Sequence, residues 1–299
     1  MTTPVTNTKD TPAGVFFVIV YAYMYLSELL PLSLPWLLVL AFCYGAIIGS
    51  FLNVYIYRFH TGKSLSGRSH CLSCGSILRV LELIPLFSYL GLRGRCRSCG
   101  SFVSPRYFAV EAATGMLFIG SLLIAGSLFE MVYLWTVCAI LVVIVVYDIR
   151  HYIIPDALTL SLTIFVLSWL SFLVLQGAPY IDALYTIAAA AAASGFLFFL
   201  WLISKGRWIG FGDVKLAFPL GLIVGAVNVF SMMVLSFWIG AGISLLLISA
   251  AKLQRGQLGL RFLPANLTIK SVVPFAPFLV AGCLAVLFTK LNVLNLFTF

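Results

Sequence analysis

Charge is what this chain has least of. Of its 299 residues only 9% are Asp, Glu, Lys or Arg, nine are acidic and three are His. A soluble domain carries about a quarter charged residues, so that class is excluded. A hydrophobic fraction of 62% and a mean hydropathy of +1.11 describe a membrane protein instead. The shortage of acids leaves a net charge of +9. The bases sit in short connectors rather than on one continuous face, so no nucleic-acid partner is expected. No second soluble domain and no internal repeat is evident. The N-terminal stretch lacks a basic cluster before an apolar core and a small-residue cleavage pattern after it, so no removable signal peptide is expected. Cysteine is not scarce, but its seven residues are arranged in a way that excludes a disulfide-stapled secreted fold. Four form two Cys-x-x-Cys pairs in one polar stretch, while Cys43, Cys138 and Cys283 lie in apolar runs.

What is present is a series of apolar stretches, which predicts an all-α polytopic membrane protein. The expected spans are 36–57, 107–128, 131–147, 154–175, 181–203, 213–227, 229–251 and 272–290, eight transmembrane helices in all. Residues 1–35 form an N-terminal segment in which 15–30 either crosses as a ninth helix or lies in the interface. In 36–57, Gly45, Gly49 and Ser50 have the small-residue spacing that lets membrane helices approach closely. Residues 58–106 form one polar loop domain, and 107–299 a seven-helix membrane domain. The loop holds eight Lys and Arg against the single acid Glu82. Further bases, Arg150, Lys205, Arg207, Lys252, Arg255, Arg261 and Lys270, fall in connectors on the same side. The opposite loops, near Glu130, Asp182 and Val227, have none. By the positive-inside rule the 58–106 loop faces the cytoplasm and the C-terminus faces outward. The loop's arginines are suited to anionic lipid headgroups.

Within the loop, Cys71-Leu-Ser-Cys74 and Cys96-Arg-Ser-Cys99 are 21 residues apart, each followed by glycine. Two such hairpins aim four thiolates at one point, a tetrahedral cage of the kind zinc takes. Cytosolic thiols stay reduced, which disfavours the alternative of two disulfides. Four sulfurs leave no position for substrate, so the metal is expected to be structural. His70, His60 and His151 acquire no role from their positions.

Acids inside a membrane are costly and call for an explanation. Asp148 ends one apolar run, and Asp213 opens another in Gly210-Phe211-Gly212-Asp213-Val214-Lys215. The topology places both at the cytoplasmic end. Asp156 is eight residues from Asp148, roughly 12 Å along an unbroken helix. It follows Pro155, which marks a new helix start. Asp148 and Asp213 can therefore meet from different helices. Gly210 and Gly212 would let a substrate backbone approach or let the helix unwind. Two carboxyls sharing a site stay one ionised and one protonated, which supplies a base for water and an acid for a peptide carbonyl. The spacing alone also fits two solvated helix-end carboxylates, with Asp213 paired to Lys215.

Five stretches decide between these readings: GSFLNVYIYR (49–58), RSHCLSCG (68–75), IPLFSYLGLRGRCRSCGSFVSPRYFAVE (84–111), YDIRHYIIPDALTL (147–160) and GFGDVKLAFPLG (210–221). In order and spacing they resemble bacterial prepilin peptidases, from about Gly45 to VPFAPFL (273–279). The resemblance implies a bifunctional inner-membrane enzyme of type IV pilus or type II secretion systems. Such an enzyme cuts the basic leader from prepilins and pseudopilins at the cytoplasmic face. It then methylates the new N-terminus with S-adenosylmethionine. By motif position the resemblance makes Asp148 and Asp213 catalytic and the four cysteines zinc ligands, and it ties Gly94 to methyl transfer.

Three departures qualify it. Arg150 stands where many relatives have a second Asp, Val80-Leu81-Glu82-Leu83 replaces an aromatic-acidic-Asn segment, and the N-terminal stretch is longer. No GxGxxG loop follows a strand, so methylation rests on the resemblance. Glu82, Glu111 and Asp156 are the candidate acids for leader recognition, with capping of its helix the alternative for Glu111. Two other function classes use fewer of the features, a cleavage-only GxGD protease and a proton-coupled transporter, and the transporter reading lacks an inverted repeat.

Overall fold

The computed structural model describes residues 33–59, 67–256 and 274–296. Residues 15–30, His60 and Lys63, and the bases Arg261 and Lys270 lie outside them. The described chain is helical, its extended pairing limited to two isolated bridges. The helices are α1 (Leu34–Arg58), α2 (Phe87–Gly91), α3 (Pro105–Ile124), α4 (Leu128–His151), α5 (Asp156–Leu175), α6 (Tyr180–Ser204), α7 (Phe211–Val224), α8 (Val229–Gly256) and α9 (Ala276–Thr289).

Every apolar stretch among the described residues forms a helix, but not every one has span length. Six are long and apolar enough to cross a bilayer: α1, α3, α4, α5, α6 and the stretch Ala226–Ser249 that contains α8. Helices α7 and α9 have 14 residues each, about 21 Å at 1.5 Å per residue. The cause is local. Gly225 at φ +78° ends α7 and a 3-10 turn follows at Ala226–Asn228, so the apolar run continues while the helix does not.

The chain forms two compact units, residues 1–146 and 147–299. In the first, α1 and α3 pack through the small residues expected there. A Cβ on Gly45 would come within 2.8 Å of the Gly115 Cα, and one on Gly49 within 2.9 Å of the Glu111 Cα. The contacts run antiparallel, because Asn53 Nδ2, further along α1, donates to the Tyr107 carbonyl near the start of α3 (3.1 Å). Backbones this close replace the hydrophobic drive that lipid removes. Helix α4 joins through Trp135, which stacks on Phe118 at 4.8 Å and donates Nε1–H to its carbonyl.

In the second unit, α6 and α7 are also antiparallel and close. A Cβ on Gly221 would meet the Ala190 Cα at 2.8 Å, and Ser194 Oγ donates to the Val214 carbonyl at 2.7 Å. Helices α8 and α9 meet at Gly282, whose added Cβ would strike Ser236 and lie 2.8 Å from the Met232 carbonyl. These close seams hold the end of the unit where α4 finishes and α5, α7 and α9 begin.

Candidate active site and metal centre

Asp148 lies in the last turn of α4 and Asp213 in the first turn of α7. Both belong to the second unit, and both are buried, at 4% and 6% exposure. They are near enough for the charge of Asp148 to act on Asp213. Each is tied to the amide end of a helix, where four N–H groups lack intrahelical partners. Asp213 Oδ2 accepts the Gly210 N–H at 3.2 Å, capping its own helix. Asp148 accepts the backbone N–H of Ala276, the first residue of α9. Its Oδ2 is buried without a protein hydrogen bond. Two carboxyls in an apolar surround, each keeping an oxygen clear of these backbone bonds, can act as acid and base on a water and a carbonyl.

Several sequence expectations are corrected here. Lys215 does not neutralise Asp213; its Nζ pairs with Asp156 Oδ1 at 2.7 Å, joining the starts of α7 and α5. A Cβ on Gly212 would lie 3.1 Å from Ile154, so the glycine lets that side chain pack against the start of α7. The helix is not unwound at Gly210, which stands at the N-cap position and donates its N–H to Asp213. None of the three acids considered for leader recognition is uncommitted. Glu82 accepts the Arg79 N–H, Asp156 holds Lys215, and buried Glu111 accepts the Leu86 N–H at 2.8 Å. Glu111 is thus a tether between the loop and α3 rather than a helix cap. Sequence reasoning also missed Ala276, although the Pro at the start of α9 in VPFAPFL signals a helix N-terminus.

In the first unit the cysteine pairs form two equivalent knuckles. Cys71 N–H donates to Ser76 and Gly75 N–H to Cys71, and the same bonds recur 25 residues on as Cys96 to Ser101 and Gly100 to Cys96. The bridges His70–Ile77 and Arg95–Phe102 close them alike. This short internal repeat, Cys-x-Ser-Cys-Gly-Ser, escaped a reading made at the scale of whole spans. All four Sγ atoms lie within 4.8 Å of one another, with Cys71 and Cys99 at 3.9 Å. Four Zn–S bonds of about 2.3 Å space the sulfurs about 3.8 Å apart, so the cage has zinc dimensions. The backbone N–H groups of Cys74 and Ser73, with the Ser101 hydroxyl, bring the Cys71 thiol down to about 6. Ser101 also lowers Cys99, through its hydroxyl and its N–H. Such donors favour the thiolates a metal binds.

Gly94 is buried just before the second knuckle, at φ +66°. A Cβ there would lie 2.9 Å from the Tyr89 ring, which in turn packs on Phe108 of α3 at 5.5 Å. Gly94→Ala is therefore expected to cost about 1–2 kcal/mol from its backbone alone, plus the displacement of Tyr89. Thermal unfolding of the loop domain measures this, and Tyr89→Ala in the same chain should recover part of the loss.

Two family models match the chain. Residues 43–125 match the model of the bacterial peptidase A24 N-terminal domain, and residues 135–245 that of the type IV leader peptidase family. The chain is similar to the prepilin leader peptidase/N-methyltransferase of Burkholderia pseudomallei (strain 1026b), at 31% identity over 84% of this chain and 85% of that one. The protein of the same description from Myxococcus xanthus (strain DK1622) is 34% identical over 72% and 64%. That of Bacillus subtilis (strain 168) is 31% identical over 82% and 92%. No solved structure matches the chain significantly. With its cysteine cage in the first matched region and both buried aspartates in the second, the chain belongs to the type IV leader peptidase family.

Proposed function

We propose that this enzyme removes the basic leader from prepilins and pseudopilins with Asp148 and Asp213 as its catalytic pair, and then methylates the exposed N-terminus. What supports the reading is that two buried carboxyls, from the last turn of one helix and the first turn of another, lie in one unit near enough for the charge of one to act on the other. One carboxylate takes a proton from water as the water attacks the scissile carbonyl. The other, protonated, hydrogen-bonds the carbonyl oxygen and then supplies the proton that the leaving amine needs. The site belongs to the cytoplasmic face of the inner membrane, with the C-terminus outward. Arg150 in the last turn of α4 and Lys205 at the end of α6 give that end its positive charge. A prepilin presents its cut between a basic leader and an apolar helix, so the membrane boundary itself selects the bond.

Cys71, Cys74, Cys96 and Cys99 hold zinc as a scaffold for the loop, apart from the hydrolytic step. S-adenosylmethionine supplies the methyl group when bound. Gly94 supports that half of the activity by shaping the second knuckle around Tyr89 rather than by touching the donor. Incubating the purified protein with a prepilin and S-adenosylmethionine should yield a product that has lost its leader and gained one methyl. Loss of the leader alone would leave a cleavage-only protease, and an intact substrate would refute the assignment.

A further inference from the structure

The chain between the knuckles is shaped in a way the metal cage does not require. It runs through a 3-10 turn at Val80–Leu83, a tight turn at Leu86 and then α2. Its exposed side chains are large and apolar: Val80 (81%), Phe87 (74%) and Leu81 (70%), with Leu83, Ile84 and Leu90. In a loop otherwise rich in arginine, such a surface marks an interaction site.

Its depth is fixed by a tether. Leu86 has φ 62° and ψ −50°, and the Phe87 N–H donates back to the Pro85 carbonyl at 2.6 Å. A branched residue stays in that conformation only where its surroundings over-determine it. Glu111 does so, taking the Leu86 N–H at 2.8 Å while also accepting from Ser50 of α1. Glu111 is six residues into α3, about 9 Å along the axis. The 20 residues of α3 rise about 30 Å, the thickness of the hydrocarbon layer. With α3 filling that layer from its first residue, the turn is tied below the level at which the helix enters it. Backbone at such a depth needs a protein acceptor, which Glu111 provides, and side chains there need apolar neighbours. Arg79 and Arg93, exposed on either side, are long enough to keep their guanidinium groups among anionic headgroups. The one acid of the segment, Glu82, is spent on the Arg79 N–H.

We propose that residues 80–90 form a membrane anchor, lying at the headgroup and acyl boundary of an anionic leaflet, with Glu111 as the latch that sets its depth. The proposal does not depend on the hydrolytic assignment, and its test needs no turnover. The full chain, carrying p-benzoylphenylalanine at position 87 or, as a control on the first knuckle, at position 73, is reconstituted in vesicles of phosphatidylethanolamine and phosphatidylglycerol. It is then irradiated, and the adducts are identified by mass. Lipid adducts should be several-fold more abundant at 87 than at 73. Glu111→Ala should lower that ratio several-fold. Glu111→Gln, whose amide oxygen accepts the same N–H, should keep it. Equal lipid adducts at the two positions would overturn the anchor. So would their replacement by prepilin adducts on adding prepilin, which would make the segment a protein-binding surface. A ratio unmoved by Glu111→Ala would overturn the latch. If that variant fails to fold, the comparison of 87 with 73 in the otherwise unaltered chain still decides the anchor.

Discussion

Asn in place of either Asp148 or Asp213 is expected to lower leader cleavage by roughly 10^2 to 10^4-fold, the range of a lost general acid or base. The double variant should fall no further than the weaker single one, because two groups that share a proton and a water act as a unit. Folding should survive. Asn keeps the volume of Asp and retains an oxygen for the Ala276 N–H at position 148 and the Gly210 N–H at position 213. The comparison therefore separates catalysis from capping. If the aspartates served only as helix caps, the variants would shift the unfolding temperature slightly and leave cleavage near its original rate. Near-complete cleavage by both single variants would remove the dyad.

The second large effect concerns the metal. Elemental analysis of the freshly purified chain should find one zinc, and Cys71→Ser should find none. Structural zinc in small cysteine-ligated domains contributes on the order of 10–16 kcal/mol of apparent binding energy. The two knuckles have a few backbone bonds each and little buried apolar surface besides Cys96 and Gly94. Without the ion they should open, and limited proteolysis should cut within 71–103 while the membrane helices remain protected. Recovery of the four cysteines as two disulfides from a metal-free preparation would contradict this account.

The sequence made the helices legible because lipid imposes one rule, an apolar run with its backbone satisfied internally. The cysteine cage was legible because ligand spacing is geometric. Hydropathy fails where a helix stops inside an apolar run. The stretch 213–227 is apolar enough to count as a crossing, but its 15 residues would rise only about 22 Å, and Gly225 turns the chain at φ +78° before its end. It fails again for partners distant in sequence. Lys215 stands two residues from Asp213, but side chains at that spacing do not face each other on a helix, and its partner Asp156 is 59 residues away. Glu111 looks like a terminal helix acid until the fold brings Leu86 to it. Ala276 has no polar side chain to advertise, so only the Pro beside it hints that a helix start supplies an amide to Asp148.

The two 14-residue helices carry a mechanical consequence. Each is about 9 Å short of the lipid interior, and a bilayer meets such a deficit by thinning locally. Asp213 opens one of these helices, and the first amide of the other is bonded to Asp148. On the proposed function, such thinning would bring the water line toward both carboxyls, giving water and a charged leader a short route to them while the apolar stem of the substrate stays in lipid.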